Sequence, residues 1–596
     1  MAVRNESASA GGGPSRRILR SLAPFAMAAL MLLLGSAAPS GEFDAGSSIE
    51  LTSLTEEQVE NVAVLGMVWG FLKYHHPAVA GGEFQWDDEL FRVLPDILAA
   101  PDLDTCRHVL SQWVDRLGVP EECDPCAKAP ADVHLLPPLE WTNDAELLGP
   151  ELARQLQQVH AFRYAAREQH YVSQVPVVRN PLFDGEHAYP DQRPPDAGFR
   201  VLALLRLWNI IEYWFPYRDQ IDGDWPAVLR EMLPRFVAAA DWDTYRLALL
   251  ALLARVGDAH ANLWSELEVR PPRGDCYWPF ALRFVEGRLT VTQFTDAVRG
   301  PASGLEIGDV IRAVDGRPVD ALVAERSPYY CASNEAGRLR DIARFFPRGE
   351  CGESELTIER DGDVRTVVVR RFAGELVFAP HDRPGETFQL LSPEVAYLKL
   401  SSVRVEDVPT YVEQAAGTRG LVIDIRNYPS GFVVFELGSR LVREPTPFAR
   451  FTVGDLDNPG AFTWTGVYTL EPVSPGYRGT VAILVDELSM SAAEYTAMAL
   501  RVAPAAVVVG STTTGADGNV SRIPLPGGLQ ALMSGIGVFY HDKTPTQRIG
   551  IVPDIVAAPT VEGIRAGRDE VLEAALRHIL GPNADEKAIR AMALRR

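Results

Sequence analysis

A chain of 596 residues, 47% of them apolar, has material for about four globular cores on the usual domain length. Its net charge of −22 and isoelectric point near 5.0 argue against nucleic acid or an anionic membrane as partner, because such partners require basic patches. Six cysteines, an even number, suit disulfides in an oxidising compartment, and none of the fifteen possible pairings is singled out by spacing.

Arg16, Arg17 and Arg20 precede an apolar run from Leu22 to Leu34, and Gly35-Ser36-Ala37-Ala38 then supplies the small residues a signal peptidase requires. Residues 1–38 read as a secretory signal, so the mature chain is expected to begin near Pro39 and to be exported, periplasmic or extracellular. The run is too short for the ~20 residues of a membrane span, and no later segment is long enough; no integral membrane segment is expected after signal removal.

Residues 55–119 and 200–273 are two copies of one helical unit. A shift of 139 aligns Trp69 with Trp208, Tyr74 with Tyr213, Trp86 with Trp225 and Gly118 with Gly257. Of the 57 aligned positions from 62 to 118, 18 are identical, against roughly 3 or 4 expected from average residue usage, so duplication is the better explanation. Apolar residues at helical spacing, such as Val201, Leu204, Leu205, Trp208 and Ile211, make each copy a small helical unit. Residues 120–199 form a proline-rich connector with one or two strands and a polar helix near Glu151 to Gln158. Cys123-Asp124-Pro125-Cys126 lacks a second pair or ligand-spaced histidines, so neither a metal nor any other cofactor is expected. The copies part at their ends: copy one reads Arg116-Leu117-Gly118-Val119, whereas copy two reads Arg255-Val256-Gly257-Asp258-Ala259-His260.

Residues 274–372 are a separate β module in which Asp315-Gly316 makes a hairpin turn between short apolar strands. From 375 to 580 strand and helix signals alternate, which indicates an α/β domain with a mainly parallel sheet and a ligand site at the strands' carboxyl ends. Val481 to Val485 is a strand buried on both faces, and Ser489 or Ser491 comes after it at the opening of a helix with Glu494. Strand, tight turn, serine and helix expose one hydroxyl and aim free N–H groups at an oxygen that becomes negative during acyl transfer.

Three segments carry a family resemblance. VDELSMSAAE resembles the N-x-x-S-A-S-A-x-E signature of the C-terminal processing peptidase and tricorn-core family of serine peptidases, LVIDIRNYPSG its D-x-R-x-N-x-G-G loop, and GIVPDI its G-V-x-P-D. GDAHAN is similar to the segment that carries the histidine in the tricorn-like branch, and SGLEIGDVI with VDGRPV resembles the core of a PDZ domain. The resemblance spans roughly residues 200–580 and implies a multidomain α/β serine peptidase: a duplicated helical region, a PDZ-like β module and a peptidase core. It implies Ser491 as nucleophile, His260 as general base, and the N–H groups of Gly431 and Ala492 as oxyanion hole, with a polypeptide substrate held by its C-terminus on the PDZ-like module.

Three family positions are altered. The processing branch's lysine, 25 residues after the serine, is Ala516, which leaves Lys543 only if the intervening hairpin folds unusually; the tricorn branch's serine and glutamate are Ala259 and Gln547. Asp258 or Asp517 could replace the missing acid, with Gln547 orienting the imidazole. A second reading is a noncatalytic peptide or apolar-ligand binder on the same fold.

Overall fold

The computed structural model describes residues 42–594 except 44, 119, 121, 123–125, 164–168 and 376–382; the expected signal segment 1–38 and Cys123 lie outside the described residues. Copy one forms the helices Glu56–His75, Trp86–Ala99 and Leu103–Leu117, and copy two forms Ala197–Trp214, Trp225–Ala238 and Trp242–Arg255. The same clasp closes both. Trp69 Nε1–H donates to the Trp86 carbonyl (3.2 Å) and Trp86 Nε1–H to the Trp69 carbonyl (3.1 Å); in copy two Trp208 and Trp225 exchange the same bonds at 3.0 and 3.2 Å. Each pair also stacks, 6.4 and 6.2 Å between ring centroids. A buried indole thus contributes its area and satisfies its one donor on the backbone of the next helix.

The first helices of the two copies pack on each other in register with the duplication. Gly66 and Gly70 lie under Leu205 and Asn209, their counterparts 139 residues on, and Asn209 Nδ2 donates to the Gly66 carbonyl at 2.9 Å. Around this crossing Lys73 and Arg206 share Glu186 of the connector (2.6 and 2.8 Å), while Arg206 also reaches Asp87 at 2.6 Å. A buried charge cluster of this kind is tolerable only because every ion has an opposite neighbour. The connector supplies the helix Ala145–Ala161 and the short strands Val133–Leu135, Ser173–Gln174 and Pro181–Leu182.

The β module is an eight-stranded sheet that starts at the edge strand Phe280–Val285 and continues through Arg288–Phe294, Val310–Val314, Gly352–Arg360 and Asp363–Ala373. Asp315 and Gly316, at φ 48° and 75°, make the hairpin turn. Helix Glu335–Phe345 packs along the edge strand. Cys276 is bonded to Cys351, Cys126 is also in a disulfide, and Cys106 and Cys331 are free and buried.

The C-terminal unit is built on a six-stranded sheet. Phe388–Ser392 pairs antiparallel with Val395–Lys399, beyond which Gly420–Asp424, Thr480–Val485, Ala506–Gly510 and Ile555–Val556 add in parallel. One face is covered by the helices Val408–Ala415 and Ala492–Arg501, the other by Glu570–Leu580 and Glu586–Ala593. Burial on both faces explains the unbroken apolar run Val481 to Val485. A second sheet contains Thr446–Gly454, Phe462–Leu470 and Gly537–Tyr540. The hairpin Val520–Leu525 and Leu529–Ser534 leaves the core and inserts Ile523, Leu525, Leu529, Ala531 and Met533 into the helical region's apolar core.

Candidate active site

Strand Thr480–Val485 ends at Asp486, and the chain turns sharply before helix Ala492–Arg501 begins. Ser491 caps that helix at φ 56°, ψ −121°, a conformation that costs a non-glycine residue of order 1–3 kcal/mol and persists only where the surroundings enforce it. Here a carboxylate enforces it. The buried Glu494 accepts from the N–H of Ser491 (3.2 Å), Gly515 (2.8 Å) and Ala516 (3.0 Å) and from the hydroxyl of Thr513, while the Ser491 N–H also donates to the Ala516 carbonyl at 2.8 Å. Burial pushes the Glu494 carboxyl up to about 7 against the pull of those donors.

Ser489 is fully buried and its hydroxyl is committed, donating to the Ile425 carbonyl at 2.9 Å and accepting from the Asp486 N–H at 3.2 Å. The N–H groups of Gly431 and Ala492 have no hydrogen-bond partner among the described residues. Ala516 is fully buried, and Lys543 faces elsewhere, 3.4 Å from Asp132 and over the Trp464 ring.

His260 comes from the end of copy two. Its Nδ1 lies 2.9 Å from Ser534 Oγ, which donates to Asp258 Oδ1 at 3.1 Å; the Ser534 N–H donates to Asp258 Oδ2 at 2.8 Å, and the His260 N–H to Asp258 Oδ1 at 3.1 Å. Asp258 Oδ1 is 3.9 Å from the ring nitrogen, so its charge is felt through the serine as well as through space. Burial holds the His260 pKa below its ordinary value, opposed by Asp258 and reinforced by Arg340. No hydrogen bond joins the Ser491 hydroxyl to this ring among the described residues. Such bonds are often long in unliganded enzymes and tighten with substrate.

Gln547 does not orient the imidazole. Its Nε2 approaches Asp258 Oδ1 (3.4 Å) and Ser333 Oγ (3.5 Å), which places it behind the aspartate. Asp517, the other carboxylate considered, is buried beside Glu494, and desolvation together with that neighbour raises its pKa well above the ordinary range. Ser534 was not foreseeable from spacing. Its only sequence signal is the alternation of Leu529 to Met533, which marks the strand it ends. Arg340 of the β module reaches the turn between Asp486 and Ser491, its Nη1 donating to the Glu487 carbonyl (3.3 Å) and also to Thr514 Oγ1 (2.6 Å).

Residues 394–557 match the model for peptidase family S41. Among solved structures, mature CPAF superposes with a TM-score of 0.51 at 14% identity, covering 65% of this chain and 99% of that one. The photosystem II D1 C-terminal processing protease gives 0.36 at 18% (66% and 98% covered), and the tricorn protease 0.31 at 11% (66% and 37%). No curated protein matches. The chain is a serine-type peptidase. The similarity to peptidase family S41 falls within the α/β core, over residues 394–557.

Proposed function

We propose that the protein is an exported endopeptidase that cleaves peptide bonds through an acyl-enzyme on Ser491, with His260 as general base and Gly431 and Ala492 as oxyanion donors. The observation that supports this reading is the hydrogen-bonded series His260, Ser534, Asp258, which the reading pairs with Ser491 at the strained entry to a helix. If the Ser534 hydroxyl proton is directed to Asp258, Nδ1 must carry the imidazole proton, and Nε2 is then the free base. Nε2 takes the Ser491 proton as Oγ attacks the carbonyl carbon. The carbonyl oxygen becomes negative against the two backbone N–H groups, and the proton passes to the leaving amine as the C–N bond breaks. Water then repeats the sequence on the ester. Asp258 steadies the transient imidazolium through Ser534, and Gln547 holds Asp258.

The β module is read as PDZ-like, taking the substrate's C-terminus. A cavity of about 480 Å³ lies between the unpaired edge of strand Phe280–Val285 and helix Glu335–Phe345, where a peptide could add as a further strand. Glu487 and Leu488 of the nucleophile turn form part of its wall. Export rests on the basic and apolar pattern of residues 1–38. The test is labelling with a fluorophosphonate and peptide mapping of the adduct. Adduct on Ser491 alone, slowed strongly in His260→Ala, is expected; adduct on Ser489 would show that the nucleophile is wrongly assigned, and none on folded protein would favour a noncatalytic binder.

A further inference from the structure

Phe432 is the residue directly after Gly431, and Tyr495 lies one helical turn beyond Ser491. Their rings stack, 6.1 Å between centroids and 16° between planes. Phe435 stands 6.2 Å from Phe432, and Phe448 and Phe451 of strand Thr446–Gly454 lie 5.4 and 5.7 Å from Tyr495, with Tyr468 against Phe451 at 4.7 Å. The six rings form a continuous wall in which Phe448 and Tyr495 are buried and Phe451 is half-buried, while Phe432, Phe435 and Tyr468 remain 56%, 40% and 39% exposed. Two large rings left half in water, continuous with a packed aromatic cluster and next to unpartnered backbone donors, mark a place where a ligand completes the burial. Beside the wall, Glu436 is neutralised by Arg440 at 2.7 Å, and the buried Asp517 lies close enough to Tyr495 for its charge to be felt there.

We propose that this wall receives the substrate side chain on the acyl side of the scissile bond and selects a bulky apolar residue there. The inference rests on the catalytic reading above and adds the substrate class. The reacting carbon must sit between Ser491 Oγ and the N–H groups of Gly431 and Ala492, and the acyl-side Cα is one bond from it. Its side chain therefore projects beside those donors, and Phe432 and Tyr495 are the large side chains that chain connectivity places next to them. A charged side chain would be desolvated against the rings at a cost.

The experiment is a peptide series differing only at that residue (Phe, Leu, Ala or Asp), with cleavage positions mapped by mass spectrometry and kcat/KM measured on the full chain. Phe and Leu are expected to exceed Ala by about 10- to 100-fold, with Asp lowest. Phe432→Ala, at a half-exposed position, should reduce the Phe to Ala ratio about tenfold, and Phe432→Leu should recover most of it. A ratio near one in the wild type, with cleavage abolished in Ser491→Ala, overturns this proposal alone. An equal loss on all four peptides in Phe432→Ala does the same, because it indicates a merely structural ring. Cleavage that persists in Ser491→Ala sinks the catalytic assignment and this proposal together.

Discussion

The two helical copies keep the same tryptophan clasp and diverge just past it. In copy one the chain leaves the last helix at Gly118, whose carbonyl is taken by His76 at 3.0 Å; in copy two it leaves at Gly257 and within three residues sets Asp258 and His260 against Ser534. Both glycines have a positive φ, 86° and 70°, so the two copies share that turn and part in what the chain supplies beyond it. A duplicated scaffold can hold one copy to packing while the other acquires chemistry at its end.

The largest expected effect removes that chemistry. His260→Ala should lower kcat by about 10²- to 10⁴-fold, measured on one peptide with thermal unfolding monitored alongside; an unchanged kcat would make copy two as purely structural as copy one. Next, Asp258→Asn should reduce kcat/KM, though by less than the ~10⁴ of a carboxylate bonded directly to the ring, because Ser534 stands between. The same pair of proteins gives the pH dependence. Since burial lowers the His260 pKa, the base becomes neutral at a lower pH than free imidazole, and the acidic limb should fall below about 6.5; removing the Asp258 charge, which opposes that shift, should move the limb lower still. A limb that rises in Asp258→Asn would mean that another acid supports the histidine.

Smaller effects sharpen the structural half of the comparison. Trp69→Phe and Trp208→Phe should each cost about 1–3 kcal/mol by calorimetry, since each removes a buried indole hydrogen bond together with part of the packed ring. Only Trp208→Phe should also lower kcat, and equal kinetics for the two would show that the clasp does not aim His260. Last, Gln547→Glu should destabilise by about 1–3 kcal/mol without raising the rate, because it replaces a donor to Asp258 by a like charge. A faster enzyme would show that the side chain meets the ring after all.

Much of this was legible because it is local or periodic. The buried strand, the serine at the helix entry and the Glu494 grip lie within a short run of sequence, and the duplication is visible as identity at fixed spacing. The features that could not be read depend on packing. Ser534 meets His260 only because its hairpin inserts into the helical core, and Gln547 reaches Asp258 rather than the ring because Ser534 already occupies Nδ1. The strands Thr446–Gly454 and Phe462–Leu470 went unread as well, although β-branched and aromatic residues alternate along them.

The contact between the two first helices has an evolutionary corollary. A Cβ at Gly70 would fall 1.8 Å from Asn209 Oδ1, and one at Gly66 would fall 2.5 Å from Leu205 Cδ2. Small residues in one copy therefore exist for the large residues of the other. Recombination that overwrote the first copy with the second would set leucine against leucine and asparagine against asparagine at a crossing with no room for either. The halves descend from one unit, and writing the second over the first is disfavoured at these two codons.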